Sequence, residues 1–297
     1  MRFPIHLLVC TVCLLCAACI SPVPRFPSST LPFMGPNDFA GSYKPRPYDA
    51  VIGGQASYQG TVIFANLDRS LLQPVLPPGF RLANNVRGMS VHPVMLLYGH
   101  QLNTSWLILG QPIPIGNDYN ELTLLIPFVQ SNSGSRWHNF AVRMYLNDVW
   151  AIWLGNQFFA YAKEEGSFTE LASQIKAYVS SILYIEATIQ TIGSWQSSAQ
   201  AQSSLPNYAA MQTILEMPVL GRRELGDPTP VCSYFEWHYD QALVASAQSS
   251  HRFAQPLRAG MEAWPALGWV SSVPGGAFAL KDIEWRIDHP PPQACAY

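Results

Sequence analysis

Lysine is scarce in this chain: Lys44, Lys163, Lys176 and Lys281 are the only four among 297 residues. With 17 Lys plus Arg against 19 Asp plus Glu there is no basic excess. A nucleic-acid partner needs such an excess to displace counterions from phosphates, so that class is disfavoured. No apolar run is long enough to span a bilayer as a helix. The stretch from Leu7 to Ala18 comes nearest, and it falls short of the roughly 20 residues that about 30 Å of hydrocarbon requires. The motifs G-x-S-x-G, H-E-x-x-H, G-x-G-x-x-G and the P-loop are all missing, which removes the main support for lipase, zincin and nucleotide-binding readings. Apolar residues make up 48% of the chain, enough for a full core in a domain of this length. The 25 prolines and 20 glycines are mixed with short apolar runs and indicate many turns between many strands.

The first residues stand apart. "MRFPIHLLVCTVCLLCAACISP" has Arg2 near its start, an apolar centre and small residues before Cys19, the layout of an export signal over residues 1–18. Ala17, Ala18 and Cys19 resemble the end of a bacterial lipobox, although Cys16 stands where leucine is usual. That implies lipidation of Cys19 and a membrane partner through the lipid, in the cell envelope at the periplasmic or outer-membrane face; cleavage without lipid is the alternative. Residues 19–50, rich in proline, then read as a tether, and residues 51–297 as one domain. Cys10, Cys13 and Cys16 leave with the signal. Cys232 and Cys295 remain, either as a disulfide or as two separate buried thiols.

Six segments read as strands from their β-branched and aromatic content: 58–66, 121–129, 139–146, 183–195, 231–237 and 282–287. Helices are expected over 67–76, 169–181, 207–217 and, more weakly, 255–264. A further helix precedes Lys163, capped by Asn147 or Asp148, with Trp150, Trp153, Leu154, Phe158 and Tyr161 on one stripe. No repeat or second linker follows residue 50. The expected fold class is α+β, a mainly antiparallel sheet or barrel with peripheral helices.

His92 and His100 share the parity of one strand face, but two histidines do not make a metal site, and no metal is expected. "WHYD" at 237–240 has no serine or cysteine elbow to complete a triad and reads as a strand end. Lys163 stands out, since it directly follows "WLGNQFFAYA". An ammonium beside such apolar neighbours either snorkels to water or is buried and loses proton affinity.

"MYLNDVWAIWLGNQFFAYAKEEG", Met144 to Gly166, resembles the central segment of the acetoacetate decarboxylase family: M-Y-L, a turn, A-I-x-x-G and an exit through Tyr-Pro-Lys-Lys-Leu-Gly, with no gap. On that resemblance Lys163 takes the place of the Schiff-base lysine. "DYNELTLLIPF" is similar to the family's Tyr-x-Glu and Ile-Pro, placing Tyr119, Glu121 and Pro127 on the pattern and Glu121 on the active-site carboxylate. "LLQPVLPPGFRL", "PVCSYFEW" and "FALKDIEWRI" extend the likeness over most of residues 58–288. There are departures. Ala162 replaces the family's proline, Glu164 replaces its second lysine, and its active-site arginine has no counterpart that can be placed.

The resemblance implies a Schiff-base-forming lyase acting on a β-keto acid such as acetoacetate, with no cofactor. Acetoacetate decarboxylase is a standard illustration of a lysine activated by desolvation or by a cationic neighbour. Lys163 would be the nucleophile, Glu121 the proton carrier, and Tyr119 and Tyr161 would contact substrate. A carboxylate touching Lys163 would oppose this by favouring the ammonium. If the chain is extended after the helix, however, Lys163 and Glu165 face one side and Glu164 the other. The alternative is a small-molecule-binding protein of the same fold, non-catalytic or turned to aldol or dehydration chemistry. The oligomeric state is not legible.

Overall fold

A computed structural model describes residues 52–83, 90–114, 118–134, 136–171, 173–221, 231–254 and 269–288. In chain order its elements begin with β1 (Ile52–Asp68), α1 (Arg69–Leu72, continued by a 3-10 turn over Gln73–Val75), β2 (Phe80–Leu82), β3 (Val91–Ile108) and β4 (Gln111–Pro114). Then come β5 (Tyr119–Ser131), β6 (Trp137–Leu146), α2 (Val149–Leu154), β7 (Lys163–Glu165), β8 (Ser167–Leu171), β9 (Gln174–Val179) and β10 (Ile182–Thr191). The remainder is β11 (Gln196–Ser197), α3 (Ser198–Ser204), α4 (Tyr208–Leu215), β12 (Val219–Gly221), β13 (Val231–His238), β14 (Leu243–Phe253), β15 (Trp269–Ser271) and β16 (Ala277–Asp288). The expected fold class is the observed one.

The strands β1, β3, β5, β6, β12, β13 and β16 neighbour one another in that order, and β16 pairs back onto β1, closing a barrel. The pairings are antiparallel except β6 with β12 and β6 with β7. Closure leaves no free edge around the ring, and period-two alternation sends every second side chain inward. The inward set includes Tyr58, Met95, Leu97, Leu125, Met144 and Phe278. The outward set from the same strands, including Leu96, Leu124, Val142 and Tyr145, packs with residues of a second sheet formed by β8, β9, β10, β14 and β15. Two apolar layers therefore sit on either side of one barrel wall.

Three expectations need correction. Where a helix is expected over 169–181, β8 and β9 pair as a hairpin instead, with Phe168 opposite Ala177 and Glu170 opposite Ile175. Ile175, Ala177 and Val179 follow a two-residue period, whereas Leu171, Ile175 and Val179 fall four apart as on a helix, and burial of Ala177 against the barrel decides between them. The strand expected over 183–195 stops at Thr191. The stripe proposed before Lys163 is not buried as a unit: Trp150 and Trp153 are exposed, while Ala151, Leu154 and Phe159 are covered. The α2 helix lasts six residues and widens into a π-type turn over Gly155–Phe159, which rotates the following residues off the stripe. Helix α3 was not anticipated. Residues 1–51, the helix expected over 255–264, and both Cys19 and Cys295 lie outside the described residues.

Candidate active site

Strands β5, β6 and β7 place the two candidate catalytic groups on the inner wall. Thr123 pairs with Met144 across β5–β6, and Met144 pairs with Lys163 across β6–β7, so all three share the inward face. Glu121, two residues before Thr123, shares it too. The Lys163 Nζ lies 3.8 Å from the Glu121 Oε2. Thr123 donates its hydroxyl proton to the other carboxylate oxygen at 2.8 Å and so fixes the rotamer of Glu121.

The approach to Lys163 is held from both sides. Asp148 caps α2 by accepting the Ala151 N–H at 2.7 Å. Asn156 then clamps the Lys163 backbone twice, accepting its N–H at 2.6 Å and donating to its carbonyl at 2.9 Å. Between them the lysine side chain passes over Gly155. A Cβ at Gly155 would lie 2.4 Å from the Lys163 Cδ and 2.6 Å from its Cε, so only glycine leaves the path open. Ala160 and Ala162 both adopt left-handed backbone, with φ of 54° and 49°. Proline, whose ring holds φ near about −65°, is excluded from such a path. The alanine found where the family pattern has proline is thus matched to the local backbone.

The amine enters a cavity whose free space, counted together with the open solvent at its mouth, is about 970 Å³. Its walls are largely apolar and aromatic, with Trp106, Phe235, Trp237 and Trp285 facing Leu97, Leu154 and Ile287. Phe235 and Trp237 stack at 5.7 Å, and Trp285 meets Phe235 edge-on at 5.4 Å. Tyr119 and Tyr161 both line it. Burial pushes both phenols above their ordinary range, so they stay protonated as donors. Among the described lining residues Lys163 and Glu121 are the charged groups, and none is arginine.

The Lys163 side chain is only 10% exposed. Burial lowers its proton affinity below that of a free lysine; Glu121 and, farther off, Asp148 oppose the shift without cancelling it. Glu164 contributes nothing to this balance, because it points through the opposite face of the wall and forms an ion pair with Arg143. Arg143 is itself buried and lies 5.9 Å from the centre of the Tyr145 ring. The orientation expected for an extended chain is therefore the one found. Cys232, in β13, is buried and disulfide-bonded, with its partner outside the described residues.

Sequence reasoning missed Thr123, Gly155 as a passage for the lysine, and the Asn156 clamp. "GNQFF" carries the last two, but no local pattern marks an asparagine that bonds seven residues ahead. Phe235, Trp237 and Trp285 come from β13 and β16, more than 70 residues beyond Lys163, and only barrel closure brings them near. His92 and His100 do not form a metal site. His92 is buried between the Pro127 carbonyl and Arg69, whereas His100 faces Glu170 at 3.5 Å.

The barrel has the acetoacetate decarboxylase-like fold, which the solved structures similar to it share. No family model and no curated protein sequence matches the chain. Among solved structures, acetoacetate decarboxylase from Legionella pneumophila superposes with a TM-score of 0.53 at 13% identity, covering 85% of this chain and 92% of that one. An acetoacetate decarboxylase-like enzyme from Sphingomonas wittichii RW1 gives 0.50 at 15% identity, covering 82% and 92%. The enduracididine biosynthesis enzyme MppR complexed with pyruvate gives 0.51 at 11% identity, covering 86% and 93%. At these identities the likeness is one of fold.

Proposed function

We propose that the protein is a Schiff-base-forming lyase that decarboxylates a β-keto acid such as acetoacetate through Lys163. The observation that carries this reading is a buried amine, lowered in proton affinity by desolvation, within 3.8 Å of a carboxylate in an apolar cavity. A neutral amine adds to the ketone carbonyl, and the carbinolamine loses water to leave an iminium. The bond to the carboxylate breaks, carbon dioxide departs, and the electron pair flows into the iminium to give an enamine. Protonation at carbon and hydrolysis by water return the ketone and the free amine. Glu121 is the group that carries protons for carbinolamine collapse and enamine protonation. The substrate carboxylate would meet hydroxyl, amide and aromatic groups, with no arginine among the described lining residues. Such surroundings stabilise a localised carboxylate less than the dispersed charge that follows its loss. Tyr119 and Tyr161 would contact the bound substrate.

Lipidation of Cys19 and a place in the cell envelope belong to the same proposal and rest on residues 1–50 alone.

Incubation with acetoacetate and borohydride tests the reading. A covalent adduct mapped to Lys163, absent in Lys163→Ala and accompanied without borohydride by carbon dioxide release, supports it. Absence of adduct from mildly acidic to alkaline pH overturns it.

A second reading keeps the imine and drops the decarboxylation. It is favoured by the MppR structure, whose bound ligand is pyruvate. Under it a pyruvate adduct forms on Lys163 and is turned to aldol or dehydration chemistry, with no carbon dioxide released from acetoacetate. Reversible ligand binding unaffected by Lys163→Ala would instead favour a non-catalytic binding protein.

A further inference from the structure

Large apolar side chains exposed to solvent gather at one rim of the barrel. At the β3–β4 turn Ile108 and Leu109 are 42% and 73% exposed, and Ile113 on β4 is 46% exposed. On α2 the values for Val149, Trp150 and Trp153 are 71%, 59% and 51%. Aromatic rings join the two groups. Trp106, opposite Ile113 in the β3–β4 ladder, meets Phe158 edge-on at 6.0 Å, and Phe158 meets Trp153 at 6.3 Å. Single exposed apolar residues are ordinary on a protein surface, whereas a contiguous group of this kind marks an interaction surface.

The chain itself indicates what covers it. Ile52, the first described residue, pairs with Ile108, so the 51 residues that precede it reach the folded domain at this same rim. Those residues read as an export leader and a proline-rich tether beginning at Cys19, whose context resembles a lipidation site. A tether that joins the domain here turns this rim toward whatever surface holds its other end. Tryptophan is favoured at the boundary between lipid and water, and aliphatic side chains beside it bury into the acyl region. The cavity reaches the rim as well, since the lining residues Gly53, Gly54, Ser105 and Trp106 lie within three positions of Ile52 and Ile108.

We propose that this rim docks on a phospholipid bilayer, with Trp150, Trp153, Val149, Ile108, Leu109 and Ile113 entering the headgroup boundary and the mouth of the cavity turned toward the lipid. None of the six is charged, so docking follows apolar burial and needs neither anionic lipid nor low salt. This inference goes beyond the proposed chemistry and does not depend on it, but it rests on the reading of residues 1–50 as a leader and tether.

The test uses the full chain on phosphatidylcholine vesicles whose acyl chains carry bromine near the headgroup end, a contact quencher of indole fluorescence. Quenching near the headgroups reads entry of the rim and so separates docking from adsorption through the N-terminal segment. Part of the tryptophan emission should be quenched, and the quenched part should be lost in the double variant Trp150→Phe, Trp153→Phe. It should persist in Trp195→Phe, whose ring instead packs on the Lys281 ammonium. The signal should change less than about twofold between about 0.05 and about 0.5 M sodium chloride. Both substitutions lie on the surface, and matching circular dichroism and melting would verify the fold of the double variant. Failure to bind the vesicles, absence of quenching, or quenching retained in the double variant overturns the proposal. So does protection of Trp150 and Trp153 by concentration-dependent self-association without lipid, which would assign the rim to a second copy of the chain.

Discussion

Lys163 and Glu164 are adjacent in the chain and face opposite sides of the barrel wall. The lysine amine enters the cavity beside Glu121, while the Glu164 carboxylate pairs with Arg143 against the second sheet. Extended backbone in β7 produces this separation, since successive side chains of a strand alternate. The carboxylate that departs from the family pattern is therefore both averted from Lys163 and neutralised by a guanidinium.

Glu164→Gln should leave formation of the Lys163 adduct within about threefold of wild type, because the charge removed is already paired and out of the cavity. Its stability should fall, since Arg143 is left buried without its carboxylate. Glu164 is 41% exposed, and solvent screening trims the loss to about 1–2 kcal/mol. The double variant Arg143→Met, Glu164→Met should recover part of that loss. Urea melts and borohydride trapping on the same preparations separate the two effects.

Gly155→Ala would place a methyl group where the Lys163 side chain runs. Either the lysine leaves its rotamer or the π-type turn shifts. The expected result is an adduct yield reduced at least about tenfold, with a stability loss of about 1–3 kcal/mol, as for overpacking elsewhere. Peptide mapping after borohydride treatment and a thermal melt check both.

Lys163→Met should stabilise the protein at neutral pH. The folded-state proton affinity of Lys163 is lowered, so between its folded and ordinary pKa the unfolded chain binds more protons and stability rises with pH. Below that window the buried amine costs stability; above the ordinary lysine range both states are neutral and the cost is gone. The gain in melting temperature from Lys163→Met should therefore shrink as pH rises into the alkaline range.

Acid should unfold the protein through its buried imidazoles. His92, His138 and His251 are each pushed down to about 4, in every case chiefly by burial. From the ordinary value of 6.5 down to about 4 the unfolded chain binds more protons, so stability falls with acidification across that window. Each contributes up to about 3 kcal/mol once fully below it. Among the described residues neither ring nitrogen of His251 finds a hydrogen-bond partner. His251→Leu should move the acid midpoint, followed by circular dichroism, to lower pH.

Part of the candidate site is legible in the sequence. Lys163 and Glu121 fall on spaced motifs that survive as short local patterns, and strands β1, β5, β6, β13 and β16 each overlap a segment rich in β-branched or aromatic residues. What was not legible is non-local. Arg143 could not be assigned to Glu164, because the parallel pairing of β6 with β7 runs through a helix and a π-type turn. The β8–β9 segment reads as a helix in sequence because its apolar spacing fits both periods and only packing on the barrel distinguishes them. The tryptophans of the far wall carry no sign in their own strands that they will face a lysine.

The central claim is that the Lys163 amine is kept dry enough to be neutral at a pH where free lysine is charged. Its titration can be followed directly by 15N NMR in protein labelled at lysine Nζ, with Lys163→Met identifying the resonance. The account predicts a midpoint clearly below the ordinary lysine range and a pH profile of imine formation that rises through the same midpoint. A midpoint at or above that of a free lysine side chain would contradict it.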